Sequence, residues 1–194
     1  INAPRTGEVD IGGVDVMALP LDVLRTEVAL VTQEHHVFVG TVRDNIVLAR
    51  DRQLRGAEVD AAVLDALRAV DALDWVERLP AGLDTMLGRG RVQLTPAQAQ
   101  QVALARLMVA DPHTLVLDEA TSLIDPRTAR HLEGSMAALL ADRTVIAIAH
   151  RLHTAHDADR IAVVIDGRIA ELGSHAELLG LDGEYARLWH TWRS

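Results

Sequence analysis

Asp118 and Glu119 stand at the end of an apolar run in the segment 113–126, HTLVLDEATSLIDP. A strand that ends in two adjacent carboxylates delivers them to the carboxyl edge of an open α/β sheet, where such sheets bind ligands. One carboxylate can hold a divalent cation while the other polarises a water. The plain alternative is a strand followed by an acidic helix cap. Two more apolar runs end in polar side chains: VALVTQ at Gln33 and VIAIAH at His150. An imidazole at such an edge can donate to charge developing on an oxygen. A different signal lies in residues 92–106, VQLTPAQAQQVALAR, which read as a helix start: Thr95 caps, Pro96 suits the first turn and good helix formers follow.

The elements that position these residues follow from periodicity. Residues 8–11 and 28–31 read as short strands, the first ended by Gly12 and Gly13. From about residue 43 to 110 the pattern is helical: Val59, Ala62, Val63, Ala66, Leu67 and Val70 recur at three and four positions, and residues 102–109 continue an apolar helix. Residues 80–82, Pro-Ala-Gly, break this region in two, and Gly82 reads as a helix end, with Thr41 capping another helix. Runs at 115–117, 145–149 and 161–165 read as buried strands, with a helix over 126–140 between the first two. Strand, helix, strand implies a parallel α/β sheet.

Composition sets limits. At 194 residues and 49% apolar the chain can bury one core, with room for a smaller appended subdomain. Without cysteine it has no disulfide, thiolate metal site or thiol nucleophile. Its formal charge is -9, and the basic residues are scattered among acids, which argues against nucleic acid as a partner. The apolar runs are strand-sized, too short to span a membrane. All 19 basic residues are Arg; there is no Lys.

Taken together, the 113–126 segment resembles the Walker B strand and D-loop of an ABC-transporter ATPase domain. The resemblance implies that Asp118 holds Mg²⁺, directly or through water, and that Glu119 polarises the water that attacks ATP. His150 matches the switch histidine at the γ-phosphate. Gln33 matches the Q-loop glutamine, able to reach both metal and water. Ser122 and Asp125 match the D-loop, with Leu123 and Ile124 as departures. GTVRDNI (40–46) and GLDTMLGRG (82–90) are similar to exporter segments that face the coupling helices of membrane domains. In the second, Arg89 stands where the family often has Glu. The implied fold is an α/β, P-loop NTPase-like (RecA-like) parallel sheet core with an inserted α-helical subdomain, lacking the N-terminal P-loop strand and helix. Its expected parts are 1–33, partial core up to the Q-loop; 34–112, helical subdomain with the signature helix; and 113–194, core with Walker B, D-loop and switch histidine.

A P-loop needs a lysine for the phosphates, and a Lys-free chain contains none. The similarity begins after the family's P-loop helix, with PRTGEVDIGG at 4–13, so the P-loop is expected before Ile1. The chain alone is therefore expected to be inactive and, having lost a strand and a helix, fragile or self-associated.

Leu94, Thr95, Pro96, Ala97 and Gln98 occupy the place of the family's signature, usually L-S-G-G-Q, which faces ATP held by the opposite subunit. Thr95 keeps a hydroxyl, whereas Pro96 removes a backbone donor and Ala97 adds a Cβ where the backbone approaches closely. The implied function is the ATPase portion of an exporter, one half of an asymmetric heterodimer. Its cofactors would be ATP and Mg²⁺. Its partners would be a second ABC ATPase domain and, through coupling helices, transmembrane domains, at the cytoplasmic face of the cell membrane. The rival reading is a non-catalytic pseudo-ATPase or interaction module.

Smaller features weigh less. His150, His153 and His156 lack a nearby ligand partner, which argues against zinc. Ser122 has no nucleophile-activating motif. His35 and His36 read as solvent-facing loop residues, and Trp189 and Trp192 as core packing of a terminal helix.

Overall fold

The structure is a computed structural model that describes residues 3–31, 35–48, 56–118, 140, 142–149 and 155–193. They divide into two compact units, Ile1–Ala147 and Ile148–Ser194.

The first unit opens with an antiparallel pair, β1 (Asp10–Ile11) and β2 (Val14–Asp15). Gly12 and Gly13 end β1, as expected, and join it to β2: both take positive φ, +57° and +79°, which the two-residue turn of a twisted hairpin requires. Helix α1 (Leu21–Glu27) leads into β3 (Val28–Val31), which pairs in parallel with β6 (Thr114–Asp118). β7 (Thr144–Ile148) lies on the other side of β6, giving the order β3-β6-β7. The parallel sheet inferred from the sequence is present, and the fold is P-loop NTPase-like α/β.

Between β3 and β6 lies a mainly helical stretch. A short ribbon of β4 (Gly40–Thr41) and β5 (Met86–Leu87) stands beside α2 (Val42–Val47), α3 (Ala57–Ala69), α4 (Leu73–Glu77) and α5 (Pro96–Ala110). Val42, Ile46, Val63, Leu67, Val102 and Leu115 are buried in one continuous core. Each such aliphatic side chain contributes about 1.5–3 kcal/mol relative to exposure. Gly82, expected to end a helix, opens a 3₁₀ turn, Gly82–Asp84; α4 has already ended at Glu77. Arg43 ties α2 to this turn and to α3 by pairing with Asp84 (3.2 Å) and Asp60.

Helices α3 and α5 are both followed closely by aspartates in the left-handed region, Asp71 (φ +55°) and Asp111 (φ +50°). A carboxylate at a helix C-terminus opposes the macrodipole. At Asp111 this is offset by Arg143, which donates to its Oδ1 (2.6 Å) and to Pro112 O (2.7 Å).

In the second unit, β8 (Ile161–Ile165) and β9 (Arg168–Gly173) form a hairpin, followed by α6 (His175–Gly180) and α7 (Glu184–Arg193). Asp166 and Gly167, at φ +49° and +74°, make its two-residue turn. Glu171 caps α7 by accepting from Glu184 N–H (2.5 Å) and Tyr185 N–H (3.2 Å). Tyr185 and Trp189 pack with Leu178, as expected for Trp189. His156 lies in a tilted stack 4.4 Å from His175, whose Nδ1 is 2.7 Å from Tyr185 Oη.

Two expectations about buried strands need correction. The 145–149 and 161–165 runs are strands, but β7 is exposed along its length and β8, among the described residues, pairs only with β9, antiparallel. Val145, Ile146 and Ile148 are exposed. An apolar run alone does not specify what covers it.

Candidate functional site

The first group of candidate residues belongs to the carboxyl ends of the strands. β3 and β6 run in parallel register, with Val31 opposite Leu117, so both deliver their ends to one edge. Asp118 is the last residue of β6 and is half-buried, its side chain with no hydrogen bond or ion pair among the described residues. Gln33, Glu119, Ser122, Asp125 and His150 lie outside the described residues. In the chain Gln33 follows Val31 by two positions, and Glu119 follows Leu117 by two.

The second group is the N-terminus of α5. Thr95 is its cap: Thr95 Oγ1 accepts from Gln98 N–H (3.3 Å), while Gln98 Oε1 accepts from Thr95 N–H (3.0 Å) and Thr95 Oγ1–H (3.1 Å). This reciprocal box is the geometry that a Thr-x-x-Gln spacing favours. Pro96 occupies the first helical position and brings no N–H. Ala99 N–H is taken by Thr95 O (2.9 Å), so within the first turn only the N–H of the exposed Ala97 lacks an acceptor among the described residues. The tip offers one free backbone donor where a helix start usually offers several.

Helix α5 is held along its flank. Trp75 Nε1–H donates to Gln101 Oε1 (2.9 Å), and Gln101 Nε2 donates to Val70 O and Asp71 O (both 3.0 Å). Arg106 reaches α2 and the loop before β4: its Nε donates to Asn45 O in α2 (2.7 Å) and an Nη to His36 O in the loop (3.3 Å). Its guanidinium sits 5.2 Å from the Phe38 ring centroid. Burial lowers the Arg106 pKa from its usual value. An arginine nonetheless stays charged at neutral pH.

Asn45 organises the same loop. It is buried, accepts from Phe38 N–H (2.8 Å) and donates to Phe38 O (2.9 Å) and Thr41 O (3.0 Å). Thr41, as expected, caps α2, in a box with Asp44: Asp44 Oδ2 accepts from Thr41 N–H (2.9 Å) and Thr41 Oγ1 accepts from Asp44 N–H (3.0 Å). The Thr41 backbone N–H first, then its side chain, and Arg43 beside them hold the Asp44 carboxyl below the usual carboxylate range despite its slight burial. His36 is exposed as expected, whereas His35 is half-buried, and desolvation lowers its pKa.

Sequence reasoning had not singled out Asn45, Gln101 or Arg106. For Asn45 a signal existed: it stands three residues after Val42 and one before Ile46, on the face that α2 buries. A polar amide on such a face needs partners.

Comparison with known proteins bears on both groups. The ABC transporter family profile matches residues 1–122. The ATP-dependent lipid A-core flippase of Desulfotalea psychrophila is 40% identical over 186 residues, 96% of this chain and 32% of the flippase. The ABC-type transporter fsqE of Aspergillus fumigatus is 40% identical over 183 residues, 94% of this chain and 14% of that protein. A solved structure of a bacterial Atm1-family ABC exporter with ATP bound superposes with a TM-score of 0.81 at 38% identity, covering 99% of this chain and 33% of that one. The chain thus spans about a third or less of the length of these relatives. Family match, sheet order and capped α5 agree, and the chain belongs to the ABC transporter family, as part of its ATP-binding domain of exporter type.

Proposed function

We propose that this chain supplies most of the ATPase half of a membrane exporter and couples ATP binding and hydrolysis to transport. The observation that carries this reading is the parallel register of β3 and β6, with β6 ending at Asp118, in a chain where Gln33 and Glu119 each lie two positions beyond the paired Val31 and Leu117. In this reading residues 1–33 and 113–194 build the ATP-binding core and 34–112 the helical subdomain.

The half-buried Asp118 carboxylate is a hard oxygen ligand without a cation partner among the described residues, which fits Mg²⁺. Asp118, with Gln33, would hold the ion, whose chemistry there is neutralisation of phosphate charge. Glu119 accepts a hydrogen bond from the attacking water and turns its lone pair toward the γ-phosphorus. His150 donates to the γ-phosphoryl oxygens. Ser122 and Asp125 face the opposite ATPase domain. Because residues 1–194 hold no lysine, the P-loop lysine comes from outside them, and these residues alone do not hydrolyse ATP.

Thr95, Ala97 and Gln98 face ATP bound by a partner ATPase domain. Their grip is weak, because the tip presents one free N–H and its side-chain polar groups bond each other. Intact Glu119 and His150 combined with this weak tip fit one half of an asymmetric heterodimer. The transmembrane partner meets the 40–46 and 82–90 segments, at the cytoplasmic face.

The altered tip also favours a second reading, a docking module without turnover. Glu119→Gln in the full-length transporter separates the two. We expect turnover to fall by about a hundredfold to ten-thousandfold, with ATP retained. Unchanged turnover would establish the docking module.

A further inference from the structure

Both amide hydrogens of Gln101 go to one turn. Helix α3 ends in a motif in which Asp71 N–H donates to Arg68 O (3.1 Å) and Ala72 N–H donates to Leu67 O (2.8 Å), with Asp71 in the left-handed region. These two bonds use the carbonyls of Leu67 and Arg68 and leave those of Val70 and Asp71 to other donors. Gln101 Nε2 donates to both (3.0 Å each), while its Oε1 accepts from Trp75 Nε1–H (2.9 Å). A side-chain amide offers two donors and an acceptor together, which this turn requires. Val70, Ala72 and Val76 are buried, so the turn is itself anchored in the core. One residue of α5 is thus bound at once to the end of α3, to the turn after it and to α4.

The place of Gln101 along α5 gives these bonds a direction. Gln101 stands four residues after Ala97, on the same face and about 6 Å further along the axis. Ala97 carries the one N–H of the first turn that lacks an acceptor among the described residues. Thr95 and Gln98 hold each other and Pro96 has no N–H, so no neighbour compensates if the Ala97 N–H points wide. Hydrogen bonds weaken steeply as their angle closes. A helix start with several donors tolerates a small rotation about its axis, and a start with one donor does not.

Resting on the exporter reading above, we propose that Gln101 is a positioning residue for the ATP held by the facing domain. Through Val70, Asp71 and Trp75 it fixes the rotation of α5 about its own axis and so aims the Ala97 N–H at a phosphate oxygen.

A double-mutant cycle between Gln101 and Ala97 tests this. The full-length transporter, in nanodiscs of phosphatidylcholine, is titrated with Mg²⁺ and the non-hydrolysable adenylyl imidodiphosphate. Gln101→Met keeps the length of the side chain but no strong donor, and should weaken nucleotide binding about tenfold, the lower end of one charge-assisted hydrogen bond. Ala97→Pro removes the N–H itself, in a first turn that tolerates proline, and should weaken binding by at least as much. The double variant should bind no worse than Ala97→Pro alone, because the aim of an absent donor no longer matters. Val63→Ala opens a cavity in the core without touching α5's first turn, and reports the effect of lost stability alone. It should change nucleotide affinity by no more than about twofold. If Gln101→Met does not fold, Trp75→Phe removes one of the three bonds and should weaken binding about threefold, again only while the Ala97 N–H is present. Losses that multiply in the double variant, or a Gln101→Met loss no larger than that of Val63→Ala, overturn the proposal. Ala97→Pro without effect overturns it as well, since the helix start would then not touch nucleotide. Failure of the exporter reading shows separately, as turnover indifferent to Glu119→Gln.

Discussion

Replacing Asn45 with alanine tests whether one buried amide holds the loop before β4 to the helical part of the first unit. Asn45 Oδ1 accepts from Phe38 N–H, and its Nδ2 donates to Phe38 O and Thr41 O. At about 1 kcal/mol net per hydrogen bond the loss is about 3 kcal/mol, since Asn45 is 1% exposed and water does not reach its place directly. Phe38 is more open, so its freed groups regain some hydration, and the figure is nearer a ceiling than a floor. For a chain of this size that corresponds to a fall in Tm of roughly 6–12 °C. Denaturant unfolding gives the global number, and hydrogen exchange at the Phe38 amide gives the local one. Both should change, and the exchange at Phe38 should quicken more than at core amides such as that of Leu67. If Asn45→Ala left the unfolding midpoint within experimental error and Phe38 exchange unchanged, the amide would not be what holds this loop.

Two further outcomes follow from the helix starts. Thr41→Ala should cost about 1 kcal/mol through loss of the α2 cap. The Asp44 carboxyl, held below its usual range by Thr41, stabilises the fold above its unfolded pKa of about 4 and loses that contribution as pH falls through the lower folded value. Asp44→Asn should therefore flatten the acid side of the stability profile in urea titrations, and a profile as steep as wild type would count against the box. Pro96→Gly with Ala97→Gly restores one donor and removes one Cβ at the α5 tip. A charge-assisted bond of about 1.5–3 kcal/mol, less about 1 kcal/mol of glycine cost, predicts tighter ATP binding in the full-length transporter by up to about thirtyfold. Nucleotide titration that shows no gain would remove the basis for asymmetry.

What the sequence made legible was chiefly local. Thr95 with Gln98 and Thr41 with Asp44 sit at cap spacing, and both boxes form. The β3 and β8 limits match their apolar runs because flanking polar residues and glycines punctuate them. Less visible was anything that depends on which element lies beside which. The 161–165 run has the composition of a buried strand, yet its hairpin signal, Asp166-Gly167, was the better guide to its pairing. Gln101 and Arg106 sit on α5 among alanines and leucines, and their partners lie 26 to 70 positions away in the chain. Nothing in local spacing marks such bonds. On the candidate site, order along the chain identified Gln33, Asp118, Glu119 and His150 as a set, because strand ends recur; how tightly Thr95 and Gln98 hold each other required coordinates.

The pairing of Arg143 with Asp111 gives α5 a fixed rear bearing. Fifteen residues make a rod about 22 Å long. Anchored at one end, such a rod amplifies rotation: a tilt of about 3° carries the Thr95 end through about 1 Å. Misplacement on that scale is enough to change a reaction rate by about a hundredfold. Gln101 and Arg106, bonded partway along, then act as stops that limit the swing to whatever the 70–71 turn and the 36–45 segment will yield.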